Sequence, residues 1–136
     1  MNQAALQLIE KYYAAFNAGD MTTFLSLLTD DVIHDINQGR RESGKAAFEQ
    51  FMQRMNKHYR EQLVEMVIMS NAEGTRAAAE FVVLGEYLST DEGLPEANGQ
   101  RYRLPAGAFF DIRDGKVARI TNYYNLEDWI AQVNQT

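Results

Sequence analysis

Residues 8–20 read Leu-Ile-Glu-Lys-Tyr-Tyr-Ala-Ala-Phe-Asn-Ala-Gly-Asp, and this stretch decides how the chain begins to fold. Leu8, Ile9, Tyr12, Tyr13 and Phe16 recur at spacings of three and four, which draws one apolar stripe along a helix. Asn17-Ala18-Gly19 stops that helix, because glycine accepts the left-handed turn that closes a helix C-terminus. Asp20 then suits the N-cap of a second, short helix. Its apolar side is Phe24, Leu25, Leu27 and Leu28, and Thr29-Asp30-Asp31 ends it.

Working outward, Val32-Ile33 reads as a short strand leading to His34-Asp35, and Asn37-Gln38-Gly39 as a turn. Ser43 is placed to cap a third helix that carries Phe48, Phe51, Met52 and Met55 on one face. The second half alternates as strands over residues 63–70, 76–88, 101–113 and 117–124, the last two joined by the hairpin dipeptide Asp114-Gly115. Asn125 caps a final short helix anchored by Trp129, Ile130 and Val133. Helices segregated from an antiparallel sheet make an α+β fold. The expected architecture is a cone: a strongly curved, mostly antiparallel sheet packed on three N-terminal helices, with a short C-terminal helix. Residues 1–136 are read as a single domain, and such a cone holds one natural cavity for a small molecule.

Composition narrows the function. With 46% apolar and 24% charged residues, the chain is ordinary globular material. Thirteen basic against nineteen acidic residues give a net charge of −6, so neither a nucleic-acid partner nor an anionic membrane is expected. The absence of cysteine excludes disulfides, thiolate zinc sites and a cysteine nucleophile. His34 and His58 lie too far apart for ligand spacing, so no metal is expected, and no cofactor motif is present. The N-terminus lacks a signal-peptide pattern, and a cytoplasmic location is expected.

The string Lys11-Tyr12-Tyr13-Ala14-Ala15-Phe16-Asn17-Ala18-Gly19-Asp20, followed by Thr29-Asp30-Asp31, His34-Asp35 and Gly44-Lys45-Ala46-Ala47, resembles the nuclear transport factor 2-like superfamily. Within it the chain is most similar to ketosteroid isomerase-related and SnoaL-like polyketide cyclase proteins. The resemblance implies the cone fold and a carboxylate base helped by a tyrosine and a protonated acid. The tyrosine matches Tyr12. The base matches Asp35 once one residue is deleted between Asp31 and Asp35. The acid position falls on Gly107, which has no proton to donate, so steroid isomerisation itself is not expected.

Adjacent residues of a strand point to opposite faces, so only one of His34 and Asp35 enters the cavity unless the strand breaks. Asp35 is the first choice as general base and His34 the second. Tyr12 is the candidate donor to a substrate oxygen. Taking Phe109 as inward puts Arg103 and Gly107 on the cavity side. Phe81 and Val83, then Ile120, Asn122 and Tyr124, face in from the flanking strands. Gly85 and Gly107 would leave space. Phe16, Phe51, Met55 and Trp129 complete the expected lining. Leu104, Ala108, Phe110 and Val82 then form an apolar outer face, which calls for a homodimer. The long loop over residues 89–99 has the length of a lid.

Three functions fit these features. The first is a cofactor-independent enzyme that abstracts a proton from a small hydrophobic carbonyl compound, of isomerase or polyketide-cyclase type. The second is a non-catalytic domain that binds a hydrophobic small molecule. The third is an interaction domain that uses its outer sheet face.

Overall fold

The computed structural model describes residues 1–134. Helix α1 (Gln3–Ala18) buries Leu8, Ile9, Tyr12 and Tyr13, the stripe read from the sequence. Gly19 ends it at φ 69°, and the Asp20 amide donates to the Ala15 carbonyl at 2.9 Å. Asp20 accepts the Thr23 amide at 3.1 Å and so opens α2 (Met21–Ser26). Asn17 does more than stop α1. Its carboxamide imitates a peptide group, donating to the Leu63 carbonyl and accepting the Leu63 amide, both at 2.9 Å, which ties the helix end to the sheet.

Strand β1 (Leu28–Asp35) begins earlier than the sequence suggests. Thr29, Asp30 and Asp31 belong to it rather than to a helix stop, because Leu28 is wholly buried and its strand pairs with β6. A short strand β2 (Arg41–Ser43) follows, and α3 (Lys45–His58) starts from Gly44 at φ 97° with no side-chain cap. Ser43 is therefore a strand residue and not the cap. The sheet continues with β3 (Tyr59–Ser70), β4 (Arg76–Tyr87), β5 (Arg101–Arg113) and β6 (Lys116–Tyr124), and α4 (Leu126–Val133) closes the order.

The six strands run β2-β1-β6-β5-β4-β3, antiparallel except for the parallel β1–β6 pair, and β2 and β3 are free edges. Asp114 and Gly115 both hold positive φ in the β5–β6 hairpin, as the dipeptide requires. Register shifts in the β1–β6, β3–β4 and β5–β6 pairs bend the strands. The β3 shift centres on Glu65 at φ 54°. Helix α1 packs on β3 and β4 and α3 on β1, β2 and β3, so one sheet face is covered and the other is bare. Among the described residues no helix is long and apolar enough to cross a membrane.

The register corrects one sequence expectation. Phe81 pairs with Ala106, Val83 with Leu104 and Ile120 with Phe110, so the inward set of β5 is Tyr102, Leu104, Ala106, Ala108 and Phe110. Phe109 is 49% exposed and rests against Tyr123 on the bare face. Arg103 also points outward and donates to Glu65 at 2.6 Å. The cause is a choice of parity: Phe109 and Phe110 are adjacent, and only pairing with β4 and β6 says which of them is buried. Leu104, Ala108 and Phe110 are thus core residues. The bare face instead shows Val67, Met69, Leu84, Phe109 and Tyr123.

The 89–99 loop is pinned to the body of the protein. Asp91 is buried and accepts from Tyr59 at 2.9 Å and from Arg54 at 3.3 Å. Its amide donates to the Tyr87 hydroxyl, which donates in turn to the Pro95 carbonyl. Buried Gln100 just beyond donates to the carbonyls of Glu96 and Val133.

Candidate functional site

A cavity of about 680 Å³ lies between the covered sheet face and the helices. Ten of the expected lining residues reach it: Phe16 from α1, Phe51 and Met55 from α3, Phe81 and Val83 from β4, Gly107 from β5, Ile120, Asn122 and Tyr124 from β6, and Trp129 from α4. Arg103 and Phe109 do not, because their side chains point outward; Gly107 shares their parity but has no side chain, and its backbone reaches the cavity. A second groove of about 530 Å³ runs between β2 and α3 and is lined by Arg40, Glu42 and Arg54. Among the described residues no group of three or more metal-ligating side chains comes together.

His34 and Asp35 divide as strand geometry demands, and they divide against the sequence's first choice. Asp35 sits on the bare face. It accepts the Arg41 guanidinium at 2.6 and 3.1 Å and the Thr121 hydroxyl at 2.6 Å. Those partners, Arg41 first, hold its carboxyl down at about 2. Arg119, Asp111 and Arg76 extend this charged network along the same face. Asp35 therefore has neither the position nor the basicity to work in the cavity.

His34 lies inside it, 2% exposed. Its ring stacks on Phe48 at 4.4 Å and meets Phe51 edge-on at 4.6 Å. Nε2 lies 3.4 Å from the Asn122 carboxamide, while Nδ1 is buried without a partner among the described residues. Burial lowers its pKa to about 4, against a smaller upward pull from the carboxylates of Glu42 and Asp35. The imidazole is neutral at pH 7. Glu42 pairs with His34 across the β1–β2 ladder, and its Oε1 is likewise buried and unpartnered.

Tyr12 and Tyr13 both line the cavity. Tyr12 packs against Phe24 and Phe110, and Tyr13 against Phe81. The Tyr13 hydroxyl is buried with no hydrogen-bond partner among the described residues. Burial raises both phenols above their ordinary range, so both are donors at neutral pH.

Glu61 is among the cavity residues that sequence reading missed. Starting the strand at Leu63 hides it, although period-two alternation from Leu63 passes inward through Glu61 and Tyr59. Tyr102 donates to Glu61 at 2.5 Å across the intervening β4 strand. Gly85 makes this possible: a Cβ there would stand 2.2 Å from the Tyr102 ring. The space expected at Gly85 is thus filled by that ring, which Trp129 abuts.

Known proteins share this family and fold. The SnoaL-like domain profile matches residues 9–120. A candidate polyketide cyclase of Pseudomonas putida KT2440 is 65% identical, with 98% of each chain covered and a TM-score of 0.94. One of Xanthomonas campestris pv. campestris is 61% identical over 97% of this chain and 98% of that one, also at 0.94. An NTF2-like protein of Burkholderia xenovorans LB400, at 16% identity, covers 98% of each chain with a TM-score of 0.77 and shares the fold alone. No curated protein matches the sequence. By profile, by identity and by the α+β architecture built around this cavity, the chain belongs to the SnoaL-like domain family.

Proposed function

We propose that the protein is an enzyme of isomerase or cyclase type that moves a proton on an uncharged carbonyl compound, with His34 as its general base. The observation that carries this reading is the burial of a neutral imidazole in the wall of a cavity lined by aromatic and aliphatic side chains. Nε2 of His34, beside Asn122, takes a proton from carbon next to the carbonyl. The electron pair moves onto the carbonyl oxygen, and the enolate is held by the Tyr13 and Tyr12 hydroxyls. The imidazolium then returns its proton, so isomerisation or ring closure balances with no other reactant. An imidazole held near 4 is a weak base, which makes the phenolic donors essential to the step. Glu42, paired with His34 across the β1–β2 ladder, adds a negative charge that favours the protonated ring.

The test is carbon-bound hydrogen exchange in deuterated water with a panel of neutral aryl ketones. Exchange catalysed by the wild type and lost in His34→Gln supports the reading, and exchange that survives that change overturns it. The depressed basicity of His34 favours a second reading, a binding domain that performs no chemistry. It would yield a bound apolar metabolite in native mass spectra and no exchange.

The partner of the bare face is a second copy of the chain. Val67, Met69, Leu84, Phe109 and Tyr123 are each 40% exposed or more on one sheet surface, an apolar array that monomers seldom leave open.

A further inference from the structure

Glu61, Gly85 and Tyr102 occupy one row of the sheet, on β3, β4 and β5 respectively. Only a glycine in the middle lets the tyrosine ring lie flat over β4 and reach the carboxyl beyond it. Glu61 Oε2 takes the Tyr102 hydroxyl, and no hydrogen bond occupies Oε1 among the described residues. The side chain lines the cavity, on the edge strand opposite the β1 end where His34 sits. No cation pairs with it among the described residues. The two arginines that reach the cavity are already paired, Arg60 with Glu86 at 3.5 Å and Arg54 with Asp91 at 3.3 Å.

We propose that the Glu61–Tyr102 pair is a second polar pole of the cavity, which binds an uncharged oxygen, carbonyl or hydroxyl, at the far end of the substrate. The carboxyl donates through Oε1 to that oxygen while its Oε2 accepts from Tyr102. Burial pushes the carboxyl's pKa up and so favours its acid form, against the opposing pull of the Tyr102 hydrogen bond. Around it, Tyr59 on β3 and Tyr124 on β6 are phenols pushed upward by burial, and Asp91 in the 89–99 loop is acidic. Asn17 on α1 and Trp129 on α4 carry no charge. A site walled in this way rejects carboxylates and sulfonates. It selects molecules that present an uncharged oxygen function at this end of the cavity. This specificity rests on the proposed use of the cavity, but not on any chemistry at His34.

Prodan, a neutral naphthyl ketone whose emission shifts to the blue in apolar surroundings, is the probe. Wild-type protein is expected to bind it, and to lose about tenfold in affinity as pH rises and Glu61 ionises, the worth of one lost buried donor. Glu61→Gln keeps a donor at every pH, so its binding is expected to be flat with pH. Glu61→Leu, checked for folding by near-ultraviolet circular dichroism, is expected to bind about tenfold more weakly at low pH. Failure of the wild type to bind prodan, affinity independent of pH in the wild type, or wild-type affinity in Glu61→Leu would each overturn the proposal. If carbon-hydrogen exchange is absent while the pH-dependent binding is present, the catalytic reading falls and this one stands. The reverse pattern removes only the Glu61 pole.

Discussion

His34 and Asp35 are consecutive in β1 and serve opposite sides of the sheet. The imidazole is buried against Phe48 and Phe51 inside the cavity, and the carboxylate is clamped by Arg41 and Thr121 on the bare face. Two ionisable groups one residue apart thus have different environments.

Replacing each in turn separates them. His34→Gln preserves the shape of the ring site approximately and is expected to lower proton-exchange rates by about 10²–10⁴-fold, the usual worth of a positioned base. Asp35→Asn is expected to leave exchange unchanged and to cost about 1 kcal/mol or less of stability, since its ion pair is partly solvated. Urea denaturation beside the exchange assay checks both.

Their pH signatures also differ. The folded pKa of His34 is depressed to about 4 from an unfolded value of 6.5, so the folded state resists protonation. Its stabilising effect is full above pH 6.5 and is lost as pH falls through 4, a loss of up to about 3 kcal/mol. His34→Gln flattens that window. Asp35, depressed from 3.8 to about 2, acts in the lower window between those two values, with the same sign. Denaturant midpoints measured from pH 7 to pH 3 show the first effect. The carboxylates of Glu42 and Asp35 pull His34 upward, so Glu42→Gln is expected to lower the His34 titration midpoint in NMR spectra.

Tyr13→Phe removes a buried hydroxyl that bonds to nothing among the described residues. Stability is expected to hold or to rise by up to about 1 kcal/mol, because an unmet donor is removed. Proton exchange is expected to fall at least tenfold. Thermal melts paired with the ketone assay distinguish this outcome from a structural tyrosine, whose loss would destabilise.

Phe109→Asp places a charge in the centre of the bare face. The wild type is expected to sediment as a dimer and the variant as a folded monomer. A wild type that sediments as a monomer across micromolar concentrations would remove the partner assigned to that face.

Much of the frame is legible without coordinates. The Leu8–Phe16 stripe, the Gly19 stop, the Asp20 cap and the Asp114-Gly115 hairpin are local devices, and each acts within a few residues of itself. The inward sets of β4 and β6 are legible too, because Ile120 stands between Arg119 and Thr121, and Glu80 and Glu86 mark the outer parity of the otherwise apolar β4. By itself the sequence determined that His34 and Asp35 oppose one another and that Phe109 and Phe110 do. It could not say which member of either pair lies inside, because alternation is the same read from either face. The tertiary structure made that choice through contacts far apart in the chain: His34 and Phe110 both lie inside because the pairing register sets each of them beside inward-facing Ile120 of β6. Glu61 meets Tyr102 for the same kind of reason. Forty-one residues separate them, and the glycine that joins their sites belongs to a third strand.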